Sequence, residues 1–105
     1  MVKTRINAGI CGFSSEIEAS SEDSRNVSIT IKTECGNIKN LAKKITTVDA
    51  YNEIKEGFNG ELYKTMSGEL KGCCAGCIVP SGIFKSMQVA AKLALPKEMK
   101  IEIEK

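Results

Sequence analysis

Alternation of apolar and polar residues dominates the first third of the chain and limits the folds that it can adopt. Residues 2–8 alternate, with apolar or small side chains at even positions and charged or amide side chains at odd ones. Residues 27–31 repeat the pattern clearly, and residues 15–19 repeat it weakly. A period of two is typical of a strand with one buried face. A glycine-flanked break and a polar cluster separate these stretches, so we predict three strands joined by turns.

The middle of the chain changes to helical spacing. Apolar residues recur three and four positions apart, and Asn37 precedes them as the predicted N-cap of a first helix. Those apolar residues are Ile38, Leu41, Ala42 and Ile45. A cap at Thr46, Thr47 or Asp49 is expected to start a second helix that ends near Gly57. Residues 61–66 are expected to form a short helical turn.

The last third predicts one long helix and a final strand. Pro80 suits the first turn of a helix, where its missing N–H is not needed, and Pro96 prevents continuation. Between them lies an apolar stripe, formed by Ile83, Met87, Ala90, Ala91 and Ala94. Residues 99–103 alternate again and predict the strand.

This order, strands first and helices later, favours the α+β class over an alternating α/β fold. We expect a two-layer sandwich with the order β-β-β-α-α-β, in which helices cover one face of a mostly antiparallel sheet. The length of 105 residues fits a single domain spanning residues 1–105.

Composition excludes several classes of protein. The chain is 42% hydrophobic and 27% charged, so it is not a mostly disordered protein. A net charge of +2, with the basic residues dispersed, gives no reason to expect nucleic-acid binding. No segment has the roughly 18 apolar residues of a membrane helix, and the first residues lack the apolar core of a signal peptide. We therefore expect a cytoplasmic protein that does not bind membranes.

Five cysteines are the residues most able to carry chemistry: Cys11, Cys35, Cys73, Cys74 and Cys77. If the first three strands form a meander, Cys11 follows the first strand and Cys35 follows the third, so both lie at the same end of the sheet. If the final strand runs parallel to these two, the last helix begins at that end too. The group at residues 73–77 would then join the other two cysteines there.

The cysteine spacing points to a metal site. Cys74 and Cys77 have the CxxC spacing with which two thiolates grip one ion, and a helix N-terminus beyond them favours thiolate. The chain has no histidine, so four thiolates would bind either zinc or an iron–sulfur cluster. Since Cys73 and Cys74 are neighbours, their side chains diverge, and we expect one of them to be a ligand and the other a spare or core residue.

Two other functions fit the same residues. Cys74 and Cys77 could exchange thiols and disulfides without a metal, although the βαβ context of thioredoxin-type motifs is missing. Alternatively, each cysteine is a small buried hydrophobe, and the sheet is an interaction module that forms a homodimer or adds a strand from a protein partner. An enzyme is the least supported class, because the sequence has no histidine, no phosphate-binding loop and no pair of carboxylates at a spacing that indicates catalysis.

Two stretches resemble a family of small uncharacterised, cysteine-containing proteins from anaerobic archaea and bacteria. They are Asn7-Ala8-Gly9-Ile10-Cys11-Gly12-Phe13, and the run from Cys77-Ile78-Val79-Pro80 to Ala94-Leu95-Pro96. The resemblance covers most of the chain and implies no activity. It implies an oxygen-poor cytoplasm, which favours the iron–sulfur alternative.

Overall fold

The computed structural model describes the backbone of residues 1–105 and every side chain except that of Cys73. Its elements follow one another as β1 Val2–Asn7, β2 Ser14–Ser20, β3 Asn26–Thr33, α1 Gly36–Ala42, β4 Thr47–Asp49, α2 Ala50–Glu56, α3 Glu61–Glu69 and α4 Val79–Ala90. Short 3₁₀ turns at Gly57–Asn59 and Gly72–Gly76 precede α3 and α4. This is an α+β fold, as the order of sequence patterns predicts.

The sheet is an antiparallel meander in the order β1-β2-β3-β4. Asn7 pairs with Ser14 at one end of the sheet, and Ser15 pairs with Thr33 beside them. The weakly alternating middle strand is therefore real. It places the end of β1 and the end of β3 at the same rim.

One face of the sheet is buried beneath the helices, and the other carries alternating charge. Ile6, Ile17 and Val27 face the helical layer and are buried. The helices contribute the rest of this core, chiefly through Ile38, Leu41, Leu62, Met66, Val79, Ile83 and Met87. On the solvent face, Lys32 Nζ lies 2.9 Å from Glu18 Oε1 and Arg5 Nε lies 3.6 Å from Glu16 Oε2. Burial on one side and charge on the other fix the register, because a slip of one residue would exchange the two faces.

α4 lies antiparallel to β1 and very close to it. A Cβ at Gly82 would come within 2.2 Å of Ile6 Cδ1. One helical turn later, Ser86 Oγ donates a hydrogen bond to Thr4 Oγ1 at 2.6 Å. Later residues of α4 therefore lie beside earlier residues of β1. The N-terminus of α4 lies at the rim where β1 ends.

Several local predictions are wrong. In the described backbone, residues 95–105 adopt neither helix nor strand, so the final strand predicted at 99–103 is not formed. α4 ends at Ala90 rather than at Ala94, and the short strand β4 precedes α2. A period of two in the sequence is a property of one segment, whereas a strand also needs a neighbour for its backbone hydrogen bonds.

One of the two predicted helix starts agrees with the structure and the other does not. Asp49 caps α2 as predicted, with its Oδ1 accepting the N–H groups of Tyr51 and Asn52. α1 begins earlier than expected: Cys35, not Asn37, is at the N-cap position, and none of the described side chains caps this helix. Among the described residues, no helix is both long and apolar enough to cross a membrane.

Candidate functional site

Cys11 lies in the turn between β1 and β2. Gly9 and Gly12 have φ angles of 90° and 77°, a left-handed conformation that glycine adopts without steric cost. Gly12 N–H donates to Gly9 C=O at 2.9 Å, and Gly9 N–H donates to Asn7 Oδ1 at 3.1 Å. These bonds close a short turn whose exposed tip carries the Cys11 thiol.

Cys35 connects β3 to α1 at the same rim. Its N–H donates to Thr33 Oγ1 at 3.1 Å, and its C=O accepts the N–H of Lys39 at 2.8 Å. The side chain is half-buried and packs against the hydrophobic core. The backbone position of this thiol is therefore set by the end of a strand and the start of a helix. We call this end of the sheet, with Asn7, Ser14 and Thr33, the cysteine rim.

Cys74 and Cys77 lie in the segment that leads into α4, whose N-terminus is at the cysteine rim. Cys77 N–H donates to Cys74 C=O at 3.1 Å, which folds the CxxC sequence into a 3₁₀ turn. Cys77 Sγ accepts a hydrogen bond of 3.5 Å from the N–H of Val79, the first residue of α4. Both cysteines are half-buried against the core.

A hydrogen bond joins the segment that holds Cys74 to the start of α1. Asn37 Nδ2 donates to Cys74 Sγ at 3.0 Å, across 37 positions of sequence. Asn37 is two residues beyond Cys35, so this contact brings the backbone that carries Cys35 next to the CxxC turn. From the sequence alone, Asn37 is predicted only as a helix cap, because it precedes the apolar pattern of α1. Its role as a donor to sulfur depends on tertiary contact.

The predicted ligands share a rim, but they do not form a closed cage. Among the described side chains, no group of three or more Cys, Asp or Glu lies close enough to hold one metal ion. Cys11, Cys35 and Cys77 are free thiols, and Cys11 is exposed. The prediction that Cys73 is a possible ligand concerns a side chain that lies outside the described residues.

Carboxylates with perturbed pKa values lie elsewhere and stabilise the fold. Backbone N–H groups of Asn26 and Arg25 lower the pKa of Asp23 in the β2–β3 turn, at the rim opposite the cysteines. The N–H of Asn52 similarly lowers the pKa of the capping Asp49. Burial raises the pKa of Glu53, whose carboxylate faces the start of α3. Hydrogen bonds within the fold account for the lowered pKa values of Asp23 and Asp49, and burial accounts for the raised pKa of Glu53.

Comparison with known proteins gives a family without an assigned role. A model described as a family of unknown function, DUF6951, matches residues 2–103. No curated protein and no solved structure matches the chain. An uncharacterised family is what the two resembling stretches suggested, whereas an anaerobic origin and shared cysteines stay predictions.

Proposed function

The chain belongs to this family of unknown function, and from its site we propose that it binds zinc or an iron–sulfur cluster at the cysteine rim. Cys74 and Cys77 are the first pair of ligands, Cys35 is the third and Cys11 is the fourth. The role is that of a metal-binding protein in a reducing cytoplasm, where thiols stay available as ligands.

The hydrogen bond from Asn37 to Cys74 Sγ is the main support for this proposal. Thiolates at metal sites are commonly held by N–H donors that set the direction of the sulfur and lower its charge density. Here the donor comes from the helix that starts immediately after another proposed ligand, Cys35. The contact therefore supports both an oriented sulfur and the approach of two ligand segments.

A second N–H donor supports the role of Cys77 as a metal ligand. Its sulfur accepts from Val79 N–H at the N-terminus of α4, a helix of 12 residues. Backbone N–H groups at a helix start have no partner within the helix and carry partial positive charge. The N–H donor and the helix N-terminus would both stabilise the negative charge of a metal-bound sulfur at this position.

Metal binding requires the cysteine rim to close. The β1–β2 turn is the part with room to move, because a Cβ at Gly9 or Gly12 would meet no atom within 4 Å and Cys11 is exposed. Movement of this turn toward the cysteine rim would bring Cys11 closer to the other thiols. Cys35, Cys74 and Cys77 already pack against the same hydrophobic core.

Metal analysis of anaerobically purified protein tests the proposal. We expect about one zinc per chain, or iron with acid-labile sulfide and a visible charge-transfer band, after reconstitution with each. Cys35→Ser, Cys74→Ser and Cys77→Ser should each lower the amount of bound metal, whereas Ser20→Ala at the opposite rim is the control. Protein that remains colourless and takes up neither zinc nor iron in stoichiometric amounts contradicts the proposal.

Thiol–disulfide exchange is the second candidate, favoured by the Val79 N–H that faces Cys77 Sγ. In this reaction the Cys77 thiolate attacks a partner disulfide and releases one partner thiolate, and Cys74 Sγ then attacks Cys77 Sγ in the mixed disulfide and releases the second partner thiolate. The protein's two thiols are oxidised to a disulfide while the partner's disulfide is reduced to two thiols, which take up the released protons. Titration in glutathione buffers followed by mass spectrometry separates the candidates: a Cys74–Cys77 disulfide forming with a defined potential in metal-free protein supports exchange.

A further inference from the structure

β1 is an edge strand whose outer side is open. The sheet order places β1 first, with β2 as its neighbour. Within residues 1–105, the described backbone hydrogen bonds join β1 to β2 and to no other strand or tail segment. An open edge presents unpaired N–H and C=O groups and is a template for another strand.

A groove of about 540 Å³ runs along this edge. Residues 2–7 line one side of the groove, and residues 96–101 of the same chain line the other until the exchange described below moves that segment to the second copy. Its floor is the side of α4 that carries Ile78, Gly82 and Val89. The groove is therefore the length of a short strand, with backbone groups on one side and apolar groups beneath.

The C-terminal segment has the pattern of a strand but lacks a strand partner. Met99, Ile101 and Ile103 alternate with charged residues, and their exposed fractions are 44%, 68% and 91%. Exposed branched apolar side chains at alternate positions are unfavourable in water and suit the buried side of a sheet.

We infer that the protein forms a homodimer in which the C-terminal segment of each copy adds to the β1 edge of the other. The exchanged strand comprises residues 99–104 and lies antiparallel to residues 3–8. Each copy gives one strand and receives one, so the interface is two-fold symmetric and closed.

Charge favours this antiparallel register. With Ile101 beside Ile6, Glu102 lies beside Arg5, and Glu104 lies beside Lys3. All four charged residues are then on the solvent face of the extended sheet, where opposite charges on neighbouring strands attract. Met99, Ile101 and Ile103 lie on the other face, against the apolar side of α4.

The segment is less suited to β1 of its own chain. α4 is antiparallel to β1 and ends beside Val2, with which Val89 shares the groove. A segment that turns back from there can pair with its own β1 only in the parallel direction. With matched faces, residues 97–102 lie beside residues 2–7, so that Lys100 lies beside Arg5 with like charge and Glu98 lies beside Lys3 with opposite charge. The parallel register therefore has one unfavourable charge pair, whereas the antiparallel register has none.

Sedimentation of the full chain, with a chelator and a reductant to exclude metal-linked and disulfide-linked dimers, tests this inference. We expect a dimer that dissociates on dilution and protects the amides of residues 99–104 from hydrogen exchange. Ile101→Pro removes a backbone donor from the exchanged strand and should give a monomer. Glu102→Lys combined with Glu104→Lys should raise the dissociation constant by about tenfold or more.

Ile101→Val is the matched control and should leave the dimer unchanged, because it keeps both the N–H and the β-branched shape. All these positions are outside the helices of the fold, so the helical signal in circular dichroism should be the same for every variant. A monomer at all concentrations overturns the inference, including one whose C-terminal amides are protected by its own β1. A dimer that Ile101→Pro and the charge reversal leave intact also overturns it.

Discussion

The carboxylate of Glu53 accepts the backbone N–H of Leu62, with Oε1 at 2.7 Å and Oε2 at 3.2 Å from the nitrogen. Both residues are buried, at 2% and 1% exposure. A side chain of α2 thus satisfies a donor in the first turn of α3, where helical N–H groups have no partner within the helix. Removal of the side chain in Glu53→Ala leaves that buried N–H unsatisfied and should lower the free energy of unfolding by about 1–3 kcal/mol.

The same carboxylate should make stability depend on pH. Burial raises the pKa of Glu53 above the usual 4.5, so the folded state holds this proton at pH values where the unfolded state has lost it. The contribution to stability is complete below the unfolded pKa and is lost as pH rises through the folded pKa.

Glu53→Gln keeps an oxygen acceptor and removes the ionisation. In urea unfolding between about pH 4 and pH 8, the difference in stability, wild type minus Glu53→Gln, should fall as pH rises. The carboxylates with lowered pKa values, such as Asp23 and Asp49, cancel in this difference because both proteins contain them. A difference that does not vary with pH contradicts the assignment.

Gly60, the N-cap of α3, should be intolerant of a side chain while Glu53 is present. A Cβ at this position would lie 2.6 Å from Glu53 Oε2. Gly60→Ala should therefore destabilise wild-type protein more than it destabilises the Glu53→Ala variant, which lacks the clashing group. A double-mutant cycle measures this coupling, and we expect about 1 kcal/mol or more. Equal effects of Gly60→Ala in the two backgrounds would rule out the contact.

Gly82 should be required for the close approach of α4 to β1. Its replacement by alanine improves helix propensity by about 1 kcal/mol but places a Cβ 2.2 Å from Ile6 Cδ1, and overpacking of this kind costs about 1–3 kcal/mol. Gly68→Ala in α3, where a Cβ meets nothing within 4 Å, is the matched control and should be stabilising. Ile6→Val removes the clashing methyl, so it should reduce the cost of Gly82→Ala in thermal or urea unfolding.

Asn37 should matter for metal binding more than for folding. It is exposed, so Asn37→Ala should change stability by no more than about 0.5 kcal/mol. Loss of the N–H donor to Cys74 Sγ should weaken metal affinity by roughly 10- to 100-fold, and Asn37→Asp should weaken it further by repulsion. Competition with a chromophoric chelator measures the affinities. Asn40→Ala, on the same helix, is the control, and equal affinity in all three variants would show that Asn37 has no role.

Sequence patterns predict those parts of the fold that depend on residues close to one another along the chain. The meander follows from alternation in β1 to β3, and it brings Cys11 and Cys35 to one rim. The sequence predicts the direction of α4 only from a final strand that is not formed, and the contacts of Gly82 and Ser86 with β1 give the same direction. Asn37 and Glu53 could not be assigned in this way, because their partners lie in other elements and their side chains are also common on exposed helix surfaces.

The residues between α3 and α4 are held at both ends by the core. Leu70 and Val79 are buried, and residues 71–78, with three of the five cysteines, span the interval between them. Within this span Cys74 and Cys77 are only half-buried against the core, so replacement of their thiols removes less buried surface than replacement of Leu70 or Val79 would. Two descendants of one ancestor can therefore keep the same architecture while one of them loses its thiols, and cysteine content is a poor guide to kinship among such chains.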